Sequence, residues 1–211
     1  MGSGRSPSTA LSGFATLALL LGDVCTAETV TFDWRVTSIF SSFDVVALTS
    51  LGINDAPASQ AAINVTLGDE VQMTVTNKLD QDTCLHWHGL KQLGTQEMDG
   101  TSGITQCHIK PDTTVTYTLT PDKAGTFWWH SHFSHQYAFG LRGPLNVHAP
   151  ADQLQSWEKD IDGEYTIQLA DTYHAAPGPV APMWDTILIN DLGRYNCTAA
   201  ASRGYSSCND N

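Results

Sequence analysis

The sequence predicts an all-β protein, a sandwich or barrel of short strands, and three observations support that fold class. Runs of β-branched and aromatic residues alternate with polar residues, which is the pattern of half-buried strands. Gly, Pro and Asp punctuate these runs at short intervals, as turns do. The 6 Trp, 7 Phe and 6 Tyr demand burial, which excludes a disordered chain. Many short strands at this spacing are typical of a sandwich or a barrel.

The first predicted strand covers residues 29–36, where Thr, Val, Phe and Trp alternate in part with charged residues. Gly68-Asp69 is a turn signal between two later runs, and Pro121-Asp122 is another before the next. The remaining strand-like runs up to residue 150 are 62–67, 71–76, 114–119, 126–129 and 144–148. Together these strands predict a first domain over residues 28–150.

The composition changes after residue 150. Residues 156–163 are polar and charged, and only two strand-like runs follow, 165–169 and 186–190. So few apolar segments are marginal for a free-standing domain. We expect residues 151–211 to be the truncated start of a second domain.

Residues 1–27 are typical of a secretory signal peptide. Arg5 precedes an apolar stretch over 11–21, and Cys25-Thr26-Ala27 offers small residues for cleavage. The alternative is a transmembrane anchor, for which the apolar run is too short. We therefore expect a secreted, extracellular protein with no membrane anchor.

Charge and cysteine content agree with that location. The chain has 10 Lys and Arg against 22 Asp and Glu, a net charge of -12 that argues against nucleic acid or anionic membranes as partners.

An even number of cysteines beyond the signal peptide suggests disulfides. These cysteines are Cys84, Cys107, Cys197 and Cys208. Cys197 and Cys208 are close enough in sequence to close a local loop, and Asn64 and Asn196 begin glycosylation sequons.

Two His-x-His segments carry the chemistry, His86-Trp87-His88 and His130-Ser131-His132. Alternation along a strand puts both histidines of a pair on one face, within reach of one metal ion or two adjacent ions. Neutral imidazole suits copper and zinc. The alternatives are a chance pair or a single zinc site, which would need only three or four of these ligands.

Several motifs together resemble the first domain of fungal multicopper oxidases. They are His86-Trp87-His88-Gly89-Leu90, Glu97-Met98-Asp99-Gly100, Thr105-Gln106-Cys107, Gly125-Thr126-Phe127-Trp128-Trp129-His130-Ser131-His132 and Gly140-Leu141-Arg142-Gly143-Pro144-Leu145. The resemblance implies a cupredoxin-like Greek-key β-sandwich, followed by an incomplete second cupredoxin domain. It also implies an enzyme that couples one-electron oxidation of phenol-like donors or ferrous iron to the reduction of dioxygen to water.

The resemblance assigns roles by position. His86 would bind the type 2 copper, and His88, His130 and His132 would bind the type 3 pair. Asp99 matches an acidic residue that assists proton delivery, a role that a nearby carboxylate can perform. The alternative for Asp99 is a turn residue, because Asp-Gly favours tight turns. The other half of the trinuclear cluster would come from a C-terminal domain that this chain lacks.

The chain also departs from the family pattern. No His-Cys-His sequence exists, so a type 1 copper site is absent, and we expect this chain to be inactive alone. Cys107 matches a cysteine whose disulfide partner lies near a distant C-terminus in several laccases, so we expect it unpaired. Glu97-Met98 leans toward the ferroxidase branch, but we place laccase-like oxidation of phenols first as the broader class.

Two further interpretations remain open at this stage. The chain could be a truncated, non-catalytic copper-binding cupredoxin module, or an extracellular β-sandwich with adventitious metal binding. We interpret His135 as a neighbour of the ligands or a surface residue, and Trp87, Trp128 and Trp129 as core or cluster-wall residues. We expect the other three histidines to be solvated: His108, His148 and His174.

Overall fold

The computed structural model describes residues 27–175, 183–205 and 207–208, so nearly all of the predicted signal peptide lies outside the described residues. The strands are β1 (Thr29–Ser41), β2 (Leu48–Ile53), β3 (Ala56–Pro57), β4 (Ile63–Thr66), β5 (Glu70–Asn77), β6 (Leu85–His88), β7 (Thr114–Leu119), β8 (Gly125–Ser131), β9 (Arg142–His148), β10 (Leu169–Thr172) and β11 (Thr186–Ile189). Short 3-10 turns cover Ala58–Gln60, Gln96–Met98 and Glu158–Asp160, and one α-helix, α1, covers Cys197–Ser202.

The strands form a β-sandwich, which confirms the predicted all-β class. One sheet has the order β3-β2-β1-β5-β7 and the other the order β4-β9-β8-β6. The pairs β1–β5 and β4–β9 are parallel, while the other pairs within these sheets are antiparallel. Parallel neighbours distant in sequence require the chain to cross between the sheets.

The core lies between the two sheets and is rich in aromatic rings. Trp34 on β1 meets Trp129 on β8 with ring centroids 4.6 Å apart. Trp87 on β6 meets Tyr117 on β7 edge-on at 5.2 Å. Both buried indoles on the second sheet also donate a hydrogen bond to a backbone carbonyl, so their N–H groups are satisfied. Because Trp87 points into this core, the side chains on either side of it along β6 point outward.

The chain after residue 150 packs against the first sandwich as a small satellite. It contains the antiparallel β10–β11 ribbon and helix α1, which is capped by Asn196 and held by the Cys197–Cys208 disulfide. The predicted strand 165–169 is shifted, since β10 starts at Leu169 and continues to Thr172. Within the described ranges, no helix is both long enough and apolar enough to cross a membrane.

The expectation that His174 is solvated is wrong. Its side chain is 0% exposed, and Nε2 lies 2.6 Å from Oδ2 of Asp44, which is 3% exposed. Burial of this pair joins the loop after β1 to the satellite. Burial alone would raise the pKa of Asp185, but hydrogen bonds from the backbone N–H of His174 and from the Arg203 side chain outweigh it and lower that pKa.

Candidate metal centre

The two predicted histidine pairs lie on neighbouring strands of the same sheet. β6 and β8 are antiparallel, with His86 opposite His130 and His88 opposite Trp128. The alternation of side chains puts His86, His88 and His130 on one face, opposite the buried Trp87. His132 follows the last residue of β8 and turns to the same place.

The four imidazole rings converge in a compact cluster. The ring of His86 lies with its centroid 5.3 Å from His130, 5.5 Å from His132 and 5.6 Å from His88. The possible ligand atoms of His86, His88 and His130 all lie within 4.8 Å of one another. His132 adjoins this group through its ring, 5.5 Å from His86, but its ligand atoms are not among the three that converge. The His-x-His spacing predicted that the two histidines of each pair share one face of a strand. The tertiary fold also brings the two pairs next to each other.

The distance between two of the nitrogens fits a shared metal ion. Nδ1 of His88 lies 3.3 Å from Nε2 of His130. Two imidazole nitrogens about 2.0 Å from one ion, at a tetrahedral angle, would themselves be about 3.3 Å apart. Imidazole is a ligand for copper, zinc, iron and nickel, so this donor set fits copper without being specific to it.

Backbone carbonyls orient two of the rings. Nδ1 of His86 lies 2.7 Å from the carbonyl oxygen of Asp99, and Nδ1 of His130 lies 2.9 Å from the carbonyl oxygen of Ser131. A carbonyl oxygen can only accept, so each Nδ1 carries the proton. In the neutral ring the lone pair is therefore on Nε2, the atom that can bind a metal ion. In His130 this atom faces Nδ1 of His88, which can donate a hydrogen bond to it when no ion is bound.

The electrostatics keep His130 neutral. Burial lowers the pKa of His130 to about 4, opposed by the hydrogen bond to Ser131 and reinforced by His86, His88 and His132. At pH 7 the ring is therefore uncharged, which is the form that binds metals. His88 and His132 are exposed, so the cluster opens to solvent on one side.

Asp99 lies directly beside the cluster. It follows the 3-10 turn Gln96–Met98, and its Oδ1 lies 3.4 Å from Nδ1 of His86. The Thr101 hydroxyl donates a hydrogen bond to the other carboxylate oxygen. The next residue, Gly100, has a φ of 80° and packs against the backbone of Leu85. Asp99 therefore has both features that the sequence suggested: it begins an Asp-Gly turn, and its carboxylate lies beside the histidine cluster.

Aromatic rings form one wall of the cluster, as expected for Trp128. Its indole stacks on His130 with centroids 4.0 Å apart and lies tilted against His88 at 5.1 Å. Tyr137 approaches the same imidazole of His130 at 5.8 Å. These contacts restrict the rotation of the two rings.

Of the remaining predicted features, some are confirmed and some are not. His135 is exposed, as expected. His108 and His148 are half-buried rather than solvated. Cys107 is free and exposed, which agrees with its expected unpaired state, and Cys84 is free and buried.

Sequence reasoning missed a buried polar network behind the cluster. The side chain of Gln136 bonds to the hydroxyls of Thr83 and Ser131 and to the backbone of Asp82. Nothing in the local pattern marks Gln136, because a polar residue in a loop is ordinarily solvated. Its proximity to His132 in sequence is the only available signal.

Comparison with known proteins agrees with this geometry. A family model described as multicopper oxidase matches residues 41–152. The chain belongs to the multicopper oxidase family. Laccase-1 of Cryptococcus neoformans var. grubii is 39% identical over 202 residues, which cover 88% of this chain and 31% of that protein. The iron transport multicopper oxidase fetC of Epichloe festucae is 36% identical, covering 85% of this chain and 30% of that protein.

A solved multicopper oxidase shares the fold. The crystal structure of laccase from Botrytis aclada aligns with a TM-score of 0.69 and 33% identity, covering 83% of this chain and 33% of that one. This likeness confirms the cupredoxin-like fold expected from the motifs. The chain spans about a third of the length of the curated relatives, 31% for the Cryptococcus laccase.

Proposed function

We propose that this multicopper oxidase chain is the N-terminal part of a secreted enzyme and supplies half of a trinuclear copper cluster. The observation that carries the proposal is the convergence of four imidazoles from β6 and the end of β8. In this proposal residues 1–27 are the signal peptide, 28–150 the first cupredoxin domain and 151–211 the start of the second. A C-terminal cupredoxin domain would complete the cluster.

The four histidines divide between two kinds of copper in this proposal. His86 would hold the type 2 copper, and His88, His130 and His132 would hold the type 3 pair. Bound copper supplies the one-electron chemistry that couples oxidation of a donor to reduction of dioxygen to water. The chain itself contributes imidazoles that are already oriented, because backbone carbonyls hold Nδ1 of His86 and of His130 and so leave Nε2 of each ring as the ligand atom.

Asp99 would hold and move a proton at the edge of the cluster. Its carboxylate is 22% exposed, so it contacts solvent on one side and the His86 ring on the other. The Thr101 hydroxyl keeps the carboxylate in this orientation. A carboxylate in that position can pass a proton between water and the cluster side of the chain.

We propose phenol-like compounds as the first class of donor and ferrous iron as the second. Relatives at similar identity are named as laccases and as an iron transport multicopper oxidase. The Glu97-Met98 pair favours ferrous iron as the donor. The structural similarity to the laccase from Botrytis aclada supports the broader laccase-like oxidation of phenols.

A second candidate function is a non-catalytic copper-binding module. The sequence contains no His-Cys-His motif, so this chain offers no type 1 site to receive electrons from a donor. Intact mass and copper content of the protein from its native source distinguish the two candidates. A product several times larger, with oxygen consumption, supports the oxidase, whereas a product of this size with neither supports the module.

A titration with Cu(II) tests the metal site in the chain as it stands. We expect saturable binding that quenches tryptophan fluorescence, because Trp128 stacks on His130. The double variant His86→Ala, His130→Ala should lose this binding, whereas His135→Ala should match the wild type. Equal affinity in the double variant would mean adventitious binding, and a preference for Zn(II) over Cu(II) would contradict a copper site.

A further inference from the structure

A buried amide joins the two histidine segments outside their strand ladder. Gln136 lies in the loop after β8 and is 3% exposed. Its Oε1 accepts hydrogen bonds from the hydroxyls of Thr83 and Ser131, each 2.7 Å long. Its Nε2 donates to the carbonyl oxygen of Asp82 at 2.8 Å. Because a carbonyl can only accept, the nitrogen must face Asp82, and the orientation of the amide is determined.

The partners of this amide come from both histidine segments. Thr83 is in the chain that leads into β6, shortly before His86. Ser131 is the residue between His130 and His132. Its hydroxyl also accepts the backbone N–H of Phe133 at 3.2 Å. One side chain therefore ties the entry of the first pair to the middle of the second.

The strand ladder does not hold all four histidines equally. The last paired residues of β6 and β8 are Leu85 and Ser131, so His86, His88 and His130 lie within the ladder. His132 lies beyond it, and its backbone N–H donates to the carbonyl of Cys84 in a long hydrogen bond of 3.3 Å. The position of His132 thus depends on the loop that follows β8.

Gln136 also organises that loop through its backbone. Its carbonyl oxygen accepts the N–H groups of Phe139 at 3.1 Å and Leu141 at 3.2 Å. Its own N–H donates to the carbonyl of Phe133 at 3.3 Å. A residue with three side-chain bonds and three backbone bonds fixes the loop as a unit.

We infer that Gln136 is a positioning residue that holds His132 against His86, so that the fourth imidazole joins the cluster. This inference rests on the proposed copper site. Residues behind the ligands orient them, and their loss typically reduces metal affinity about 10- to 100-fold. Loss of the amide should free His132 while the ladder still holds His86, His88 and His130.

The test uses the full chain and Cu(II) alone. The variants are Gln136→Met, which has a similar size but no amide, His132→Ala, and the two combined. Gln136→Met should bind Cu(II) about tenfold more weakly than the wild type. Its electron paramagnetic resonance spectrum should match that of His132→Ala, since both leave the same three imidazoles. The double variant should bind no more weakly than His132→Ala, because both changes remove one interaction.

A matched control is Gln72→Met, in which an exposed glutamine of β5 is replaced. This control should leave the Cu(II) affinity and the electron paramagnetic resonance spectrum unchanged. Near-UV circular dichroism reports whether each variant folds, and Ser131→Ala, which removes one of the bonds, replaces Gln136→Met if the latter unfolds. Cu(II) affinity equal to the wild type in folded Gln136→Met would overturn the role of Gln136. So would a double variant whose loss of Cu(II) affinity equals the sum of the two single losses. Absence of Cu(II) binding in the wild type would overturn the proposed function and this inference together.

Discussion

Replacement of Gly100 by alanine tests how closely the Asp99 turn is fitted to the histidine cluster. Gly100 has a φ of 80°, and an added Cβ would overlap the carbonyl group of Leu85, lying 2.5 Å from its carbon. A normal carbon–carbon contact is about 3.5 Å, and the carbonyl oxygen of Leu85 lies nearer still, so the turn must move by at least about 1 Å. The bond from Nδ1 of His86 to the carbonyl of Asp99 is 2.7 Å, so this displacement would stretch it beyond hydrogen-bond range.

Gly103→Ala is the matched control for this change. Gly103 has a φ of 75°, but an added Cβ would have no atom within 4 Å. Both variants therefore share the strain of a left-handed alanine, about 1–2 kcal/mol. Only Gly100→Ala adds overpacking, about 1–3 kcal/mol, and loss of a hydrogen bond, about 1 kcal/mol.

The assay is urea unfolding together with a Cu(II) titration. Gly100→Ala should unfold with a free energy about 2–4 kcal/mol lower than Gly103→Ala, from the sum of those two effects. It should also bind Cu(II) about tenfold more weakly, because His86 loses the carbonyl that orients its ring. Equal unfolding free energies and equal affinities for the two glycine variants would refute the reasoning.

Three other predictions concern the rest of the fold. The lowered pKa of Asp185 means that its carboxylate stabilises the fold above about pH 3.9 and that this contribution is lost as pH falls through the lowered value. Asp185→Asn should therefore destabilise the chain at pH 7, and the difference from wild type should shrink toward pH 3 in urea unfolding. Loss of the disulfide in Cys197→Ser, Cys208→Ser should reduce the free energy of unfolding by about 3 kcal/mol, since it closes a loop of separation 11. Trp129→Ala should cost about 3–5 kcal/mol in thermal unfolding, because the ring is fully buried, whereas the exposed Trp157→Ala should cost little.

Each of these predictions has a contrary result. A pH-independent difference for Asp185→Asn would mean that its bonds do not depend on ionisation. Unchanged stability without the disulfide would place the Cys197–Cys208 loop outside the cooperative unit. Equal losses for the two tryptophan variants would contradict the packing of Trp129 between the sheets.

Local patterns predicted the histidine pairs and most of the strands, but not β2 or β3. Alternation with a period of two is a property of neighbouring residues, so runs such as 71–76 and 114–119 predict β5 and β7 closely. The same period places His86 and His88 on one face. Helix α1 was not predicted, because six residues are too few for a helical pattern, and Asn196 and a disulfide stabilise it instead.

Features that depend on distant partners were mispredicted or missed. His174 is in a polar segment that suggests solvent, but Asp44, separated from it by 130 residues, pairs with it in the interior. Gln136 has the appearance of an ordinary loop residue until Thr83, separated by 53 residues, comes within hydrogen-bond distance. Local composition carries no information about such contacts.

By itself, the sequence determined the all-β class, most of the strand positions, the resemblance to multicopper oxidases and the two histidine pairs. Only the tertiary structure decided which nitrogen of His86 and of His130 carries the proton, that His132 lies beyond the ladder, and that Gln136 bonds to Thr83 and Ser131 beside the cluster. The physical reason is that side-chain periodicity is local, whereas a tautomer, a register and a buried amide each depend on atoms contributed by chain segments far apart in sequence.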